Sequence, residues 1–504
     1  MDQAVEAPIT LDHGVEHVEK GLKSDAIGYV SNLVIGVAST APAYSLAATL
    51  GFIVAVNGVG VHAPAVLLVS FLPILLIAFA YKALNTADPD AGTTFAWGTR
   101  ALGPYFGWIN GWAIFVADVI VMASLSVIAS TYSYLLVGWD AGATNTTAIL
   151  IGSAVWIALM TWICWRGIEL SARIQQFLLG AEIVILSAFA IAALIKVYAH
   201  HPAGSLHPQW SWFNPFAIGL TPLLDGMLLG IFIYWGWDSG VSVNEETEDR
   251  HNAPGRAAVM STIVLVLIYL VVSAASIAYG GTDLLTNSNN INDVLSVLGT
   301  KVFGSPWDKL LIIAVLTSAS ASTQTTILPT ARTTLSMARW GAIPKIFGRI
   351  HPRYLTPDVS TIGMGALSIV FTLVLVGFDT SQGVLGDSIT ALGFSVCFYY
   401  GFTGLFSLVY FRRELGRSTK TLLMAGILPV LGAAMMALIF VKAFIDYSKT
   451  GAGYSSPLFG IQVPIVIGIG SLLLGVPVMV ICAVKYRRFF SRKPEVAPAG
   501  ILDE

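Results

Sequence analysis

Four acidic side chains are the groups in this sequence best placed to do chemistry, because they lie inside long apolar runs. They are Asp118, Glu182, Asp225 and Asp238, and no Lys or Arg lies well inside the first ten of these runs. An unpaired carboxylate at membrane depth costs about 2.5 to 3.5 kcal/mol on insertion scales and is a functional candidate by default. Burial favours the neutral acid, so we expect such a carboxyl to be able to carry a proton.

Glu182 and Asp118 are predicted to serve proton coupling. Three roles stay open for Glu182: proton acceptor, partner for a cationic part of a solute, or ligand of a metal cation. The structural alternative is a protonated Glu bonded to a nearby backbone group, and Asp118 has the same options. Asp238 is interpreted equally as a helix N-cap or as a substrate contact. Asp225 is interpreted as a charge that draws cations into an outer vestibule.

The first apolar run, IGYVSNLVIGVASTAPAYSLAATLGFIVAV, is interrupted by Pro42. Proline removes a helical hydrogen bond and pushes Ala41 out of the right-handed helical region, and Ser39 or Thr40 could cap the helix that follows. We therefore predict two half-helices separated by residues 38–41. The second would begin near the bilayer midplane with free N–H groups, which suits a carboxylate. A simple proline kink is the alternative.

The sixth run contains the sequence FIYWGWDSG, in which Gly236 weakens a helix and Asp238 and Ser239 favour helix caps. A helix that ends near Tyr234 would present free carbonyl groups at the same depth, and residues 235–239 are predicted to be non-helical. Irregular backbone at membrane depth survives only where it is buried in protein or lines a cavity. Amide donors from one break and carbonyls from both suit an α-amino acid or a similar zwitterion.

The predicted substrate site therefore combines the two interruptions. The residues placed in it on these grounds are Ala38, Ser39, Thr40, Ala41, Gly236 and Asp238.

Composition identifies the setting of these elements. Of the 504 residues 55% are apolar and only 11% are charged, whereas soluble domains carry about 25% charged residues. Twelve runs are long enough to span the hydrocarbon, at roughly 20 residues each. They lie near residues 27–56, 64–83, 105–136, 146–165, 174–197, 217–243, 256–279, 304–331, 358–378, 384–410, 420–446 and 459–484. The sequence predicts an all-α polytopic membrane protein with twelve transmembrane helices.

Two interrupted spans, five helices apart, indicate a transporter made of inverted repeats with its site at the repeat interface. This predicts a LeuT-like five-plus-five core over residues 27–410, two further helices over 411–487, and tails over 1–26 and 488–504. With the N-terminus inside, 22 of the 27 Lys and Arg residues face the cytoplasm. We expect a multi-pass protein of the cell membrane with both termini cytoplasmic.

Several other classes of protein are disfavoured. No Gly-x-x-x-x-Gly-Lys loop supports ATP-driven pumping, and no metal-ligand or nucleophile cluster supports an enzyme. No catalytic residue, resident metal, cofactor or nucleic-acid partner is predicted; the expected partners are the substrate, protons and the lipid bilayer. Sodium is the alternative coupling ion, because four residues of the eighth run could supply hydroxyl ligands. These residues are Thr317, Ser318, Ser320 and Thr323.

Four segments of the chain resemble the amino acid, polyamine and organocation (APC) transporter superfamily. They are DPDAGTTFAWGTRALGPYFGWINGW (88–112), SARIQQFLLGAE (171–182), YWGWDSGVSVNEETEDRHNAPGRA (234–257) and RTTLSMARWGAIPKIFGRIHPRYLTP (332–357). The resemblance implies a secondary transporter of amino acids or amines that works by alternating access, with proton-coupled symport expected and uncoupled exchange as the alternative. A membrane receptor or enzyme is the third possibility.

The resemblance also implies roles for individual residues. Phe232, four positions before the glycine of the sixth helix, would gate the substrate from outside, and Trp235 and Trp237 would line the pocket. Several sodium-independent members carry a lysine where this chain has Glu182, so the sign of the charge is reversed here. The family's Gly-Ser-Gly in the first helix is replaced by Ala-Ser-Thr. Apart from the resemblance, the position of four acids at the inner end of the sixth segment suggests that they close an inner gate with Arg332 or Arg339, or lie in a solvated loop; they are Glu245, Glu246, Glu248 and Asp249.

Overall fold

The computed structural model describes residues 9–12, 15–288, 290–291, 293–378, 383–449, 451–453 and 455–502. Within this part of the chain, twelve helices or helix pairs are long and apolar enough to cross a membrane. They are Tyr29–Ala55, Gly60–Ala87, Pro104–Leu136, Thr146–Arg166, Ile168–His200, Leu220–Ser242, Ala253–Thr286, Lys309–Arg339, Asp358–Gly377, Gly386–Tyr410, Thr419–Tyr447 and Val463–Lys485. The predicted all-α architecture of twelve spans is confirmed.

Shorter elements lie before, between or after the spans, and one of them, Gly60–His62, forms the start of the second span. The short helical segments are Gly60–His62, Thr94–Ala101, Asp140–Thr144, Trp210–Phe213, Pro215–Ala217, Asn244–Glu246, Val294–Phe303, Lys345–Gly348 and Arg487–Phe490. An antiparallel hairpin of the strands Ile9–Asp12 and Val15–Val18 precedes the first span. The eleventh span contains one wider helical turn, Leu422–Ile427.

The spans with the most polar residues lie inside the bundle. The first, sixth, eighth and tenth spans are the least apolar of the twelve, and most of each is enclosed by other helices. The first packs against the fifth, seventh and eighth, whereas the eleventh and twelfth lie outside the tenth. This arrangement follows because lipid offers no partner for a polar side chain.

The first span is two half-helices, Tyr29–Ser39 and Pro42–Ala55, joined by Thr40 and Ala41. Ala41 has a left-handed backbone with φ +47°, and Pro42 occupies the first helical position. The prediction of a break over 38–41 was too wide, because residues 38 and 39 complete the first half-helix. Only the residue directly before proline is forced out of the helical region. The predicted capping by Ser39 or Thr40 is wrong, since neither hydroxyl accepts from an amide of the second half-helix, and the Thr40 hydroxyl donates to the Val37 carbonyl instead.

The sixth span ends its first helix at Tyr234, as expected, and resumes only as the short helix Ser239–Ser242. Gly236 has φ +115°, a conformation that side chains beyond glycine rarely adopt. Ser239, predicted to be non-helical, starts the short helix. Asp238 stands at the cap position, but its side chain makes no cap hydrogen bond. Its predicted alternative role as an N-cap is therefore wrong.

The two breaks touch each other. The hydroxyl oxygens of Ser39 and Ser239 lie 2.8 Å apart, and the Ser322 hydroxyl donates to the Ser39 carbonyl at 2.7 Å. A Cβ atom added to Gly236 would lie 2.8 Å from that same carbonyl oxygen. Glycine is thus required at position 236 both for its backbone conformation and for the close approach of the first span.

We expect Gly236→Ala to lower the thermal stability of the purified protein, because backbone strain of about 1–3 kcal/mol adds to the contact with Ser39. Gly363→Ala is the control, since a Cβ there meets no atom within 4 Å. Alanine stabilises a helix by roughly 1 kcal/mol relative to glycine, so Gly363→Ala should leave the melting temperature unchanged or slightly raised. Equal melting temperatures for Gly236→Ala and the parent would contradict the assigned geometry.

Candidate functional site

The carboxyl of Glu182, a residue of the fifth span, contacts the start of the second half-helix of the first span. Glu182 is fully buried, and its Oε1 accepts hydrogen bonds from the Ala43 amide at 2.7 Å and the Ser318 hydroxyl at 2.9 Å. A helix N-terminus carries free N–H groups and the positive end of the helix dipole, which attract an anion. The start of this half-helix was predicted to bind a substrate carboxylate. It is occupied instead by a carboxyl of the protein itself.

The second carboxyl oxygen of Glu182 differs from the first in its hydrogen bonding. Among the described residues, its Oε2 has no hydrogen-bond partner although it is buried. The next amide of the half-helix, that of Tyr44, is taken by the Ser318 hydroxyl at 3.2 Å. One face of this carboxyl is therefore held by two donors, and the other is available to a proton or a ligand.

Asp238 is surrounded by tyrosines of other spans. Its carboxylate accepts from the hydroxyl of Tyr400 at 2.8 Å, of Tyr399 at 3.2 Å and of Tyr81 at 3.4 Å. Hydroxyl donors stabilise the anionic form of a carboxyl, because charge-assisted bonds are about twice as strong as neutral ones. Asp238 is 7% exposed, so these hydroxyls and not bulk water form its immediate surroundings.

An aromatic shell encloses the same carboxylate. The ring centroid of Trp237 lies 4.9 Å from that of Tyr81 and 5.4 Å from that of Tyr400. Trp235 donates its indole N–H to the Tyr399 hydroxyl at 2.5 Å. Sequence reasoning missed the three tyrosines, because they belong to the second and tenth spans and follow no motif. The adjacent pair Tyr399 and Tyr400 in an apolar run was the one local signal.

Among the described residues, no hydrogen bond joins Asp118 to either break. It is a buried residue of the third span that accepts a hydrogen bond from the Thr330 hydroxyl of the eighth. In the described part of the chain, no ion pair joins a cation to Asp118, Glu182 or Asp238.

Phe232 lies in the last helical turn before the second break and is 3% exposed. The Tyr269 hydroxyl donates to the neighbouring Ile233 carbonyl at 2.6 Å. The Tyr234 ring meets that of Tyr269 edge-on at 5.0 Å. Phe232 is thus a buried residue within one turn of the second break, next to two residues that contact Tyr269.

Three of the four hydroxyls considered as sodium ligands bond their own helix. Thr317, Ser320 and Thr323 each donate to a carbonyl one turn back, and Ser318 donates to Glu182. Over the residues that the structure describes, no group of three or more His, Cys, Asp or Glu is arranged to hold a metal ion.

The face of the bundle that carries residues 15–27 and 487–502, here called the terminal face, is closed by buried ion pairs. Arg332 bonds Glu246 through two nitrogens at 2.7 and 3.0 Å. Lys20 lies 2.5 Å from Glu245 and 2.9 Å from Asp90 with no side-chain exposure. Burial alone would lower the pKa of Lys20, but the two carboxylates raise it above its usual value. Burial alone would raise the pKa of Asp90, but the charges of Lys20 and His17, together with hydrogen bonds from Lys20 and the Gly92 amide, hold that pKa well below its usual value.

Backbone bonds tie the segment before the first span to the same face. The amides of Ala26 and Ile27 both donate to the Glu246 carbonyl, and the Glu248 amide donates to Ile27. Of the sixth segment's acids, Glu245 and Glu246 are buried, whereas Glu248 and the following Asp249 are exposed. The expected pairing with Arg332 therefore holds for Glu246, and the solvated alternative describes the other end of the segment.

Comparison with known proteins gives these features a context. The chain is similar to Asc-type amino acid transporter 1 of Homo sapiens, with 26% identity over 85% of this chain and 78% of that protein. It is similar to the branched-chain amino acid permease BcaP of Lactococcus lactis, with 24% identity over 71% and 76%. It is also similar to the low-affinity putrescine importer PlaP of Escherichia coli, with 21% identity over 76% and 81%.

A family model described as amino acid permease matches residues 26–470, which include the first eleven spans and the start of the twelfth. The chain is therefore a multi-pass membrane protein of the amino acid permease family within the APC transporter superfamily.

Proposed function

We propose that this protein is a secondary active transporter that moves amino acids or amines across the cell membrane by alternating access, coupled to protons. The observation that carries the proposal is the position of Glu182, a buried carboxyl without a cation partner that contacts the broken backbone of the first span. The similarity of this chain to two amino acid transporters and to a putrescine importer supports the substrate range.

Proton coupling follows from the two hydrogen bonds that the Glu182 carboxyl accepts. As an anion it binds the Ala43 amide and the Ser318 hydroxyl strongly, because charged acceptors make the stronger hydrogen bonds. Protonation weakens both bonds and loosens the first span from the fifth and eighth. The proton on Glu182 thereby biases the geometry of the break, and a bias between two conformations is what couples an ion to transport.

Alternating access requires a face that opens. We assign the terminal face to the cytoplasm, in agreement with the positive-inside distribution of Lys and Arg. Its buried pairs, Arg332 with Glu246 and Lys20 with two carboxylates, close that side in the present conformation. Release of substrate inward would separate these pairs.

Glu182→Gln is expected to bind substrate and exchange it across a liposome membrane, yet to lose accumulation driven by an imposed pH gradient. Glutamine keeps the size and acceptor oxygen of the acid but cannot release a proton. Uptake of labelled substrate with and without the gradient measures this. Asp118→Asn is the companion variant, and it should still accumulate substrate.

Gradient-driven accumulation by Glu182→Gln would transfer the role to Asp118 or to no protein carboxyl. Exchange without any pH effect in the parent protein would establish the uncoupled exchanger instead.

Phe232→Ala is expected to weaken apparent substrate affinity about tenfold, since losing most of a buried aromatic contact costs roughly 1–3 kcal/mol. The control is Phe189→Ala, a fully buried residue of the fifth span that packs against Phe303. It should lower stability without changing affinity. Equilibrium binding on folded protein distinguishes the two, and unchanged affinity in Phe232→Ala would assign this residue to packing.

Lys20→Met is expected to open the terminal face, because it leaves two buried carboxylates without their cation, a loss of about 3–5 kcal/mol. The measurement is the labelling rate of Ser242→Cys, a buried position of the sixth span, in a background without the native cysteines. Lys23→Met is the matched control, since Lys23 pairs with Glu169 and both side chains are about half exposed. Equal labelling in the Lys20 and Lys23 variants would remove the segment before the first span from the gate.

A further inference from the structure

The amides of the first break are the natural site for a substrate carboxylate, and each is already bonded within the protein. Residues 40–44 carry four N–H groups, since Pro42 has none. The amide of Thr40 donates to a carbonyl at 3.2 Å and that of Ala41 to a carbonyl at 3.1 Å, both in the first half-helix. Neither can bind a ligand while that helix is intact.

The remaining two amides point to groups from other spans. Ala43 donates to Glu182 at 2.7 Å, and Tyr44 donates to Ser318 at 3.2 Å. A second carboxylate arriving here would find no free donor at the start of the half-helix and would meet the charge of Glu182. Like charges at such distances disfavour binding.

From this geometry we infer that the substrate is an amine without a carboxylate, recognised through its ammonium group by Asp238 within its shell of tyrosine and tryptophan rings. The inference rests on the transport function proposed above and specifies its substrate class. It gives Asp238 the role of ammonium partner and Glu182 the role of excluding the carboxylate.

The surroundings of Asp238 suit an ammonium group. Three tyrosine hydroxyls donate to the carboxylate and so stabilise its anionic form, and the described residues supply it with no ion-pair partner. The rings of Trp237 and Tyr400, whose centroids lie 5.4 Å apart, belong to the aromatic types whose faces attract cations. Tyrosine oxygens also accept hydrogen bonds, so they can serve a bound ammonium directly.

The charge distribution over the whole bundle favours the same class. The buried cations Lys20, Arg100 and Arg332 all pair with acids at the terminal face. None of these three cations therefore neutralises an acid in the middle of the bundle. Asp118, Glu182 and Asp238 leave this middle region negative when ionised. A cation entering it gains attraction, whereas a carboxylate is repelled.

The test compares each amine with the amino acid that differs from it only by the carboxylate. The pairs are putrescine with ornithine, cadaverine with lysine, agmatine with arginine, and tyramine with tyrosine. Binding to the full-length protein is measured by thermal shift and by competition between the two compounds of each pair, and uptake is measured in proteoliposomes. We expect at least one amine to bind about tenfold or more tightly than its amino acid, because the amino acid must also bury a carboxylate that finds no free donor, and an unsatisfied buried charge costs at least that factor.

Variants assign the effect to residues. Asp238→Asn should weaken amine binding about tenfold or more, while Asp140→Asn, an exposed acid between the third and fourth spans, should not. Glu182→Ala frees the Ala43 amide and should narrow the preference for the amine over the amino acid. If Asp238→Asn does not fold, Tyr400→Phe removes a single donor to Asp238 and should still reduce amine affinity.

The outcomes separate the inference from the proposed function. Amino acids that bind or are transported as well as their amines would overturn the inference and leave the transporter intact. Absence of binding and uptake for every compound would overturn both. Amine selectivity that survives Asp238→Asn and Tyr400→Phe would overturn the assignment of the ammonium site to Asp238.

Discussion

The structure depends on satisfying backbone groups that two broken helices expose at membrane depth. In hydrocarbon an unpaired amide or carbonyl costs several kcal/mol, so a broken helix persists only where side chains replace the missing bonds. Glu182 and Ser318 supply acceptors to the start of the second half-helix, and Ser322 and Tyr269 donate to carbonyls beside the two breaks. The spans that carry these side chains are fixed against the breaks by the same bonds.

This requirement explains why the most polar spans lie inside the bundle. The fifth and eighth spans contact the first, because their Glu182, Ser318 and Ser322 side chains complete its hydrogen bonding, and the seventh donates from Tyr269 to the sixth. In the described part of the chain, the eleventh and twelfth spans supply no hydrogen bond to either break, and both pack against the tenth. Conformational change that moves a half-helix must exchange these side-chain bonds, which links the state of Glu182 to the shape of the centre.

Charge is separated along the bundle. The middle holds carboxylates bonded to neutral donors, whereas the terminal face holds carboxylates bonded to Lys20, Arg100 and Arg332. A buried ion pair gives strong cohesion only while both partners are present, so these pairs can keep the terminal face closed. The middle, in contrast, keeps negative charge available for a proton or a cationic solute.

The sequence by itself determined the number of spans, the all-α architecture and the existence of both breaks near Pro42 and Gly236. Apolar length and the backbone limits of proline and glycine are local properties, and they act whatever the neighbours are. Only the tertiary structure decided which groups meet at the breaks. The Ala43 amide is bonded by a glutamate 139 residues away, and Asp238 by tyrosines 157 to 162 residues away. Such contacts depend on how distant spans pack and rotate against each other, which no local pattern encodes.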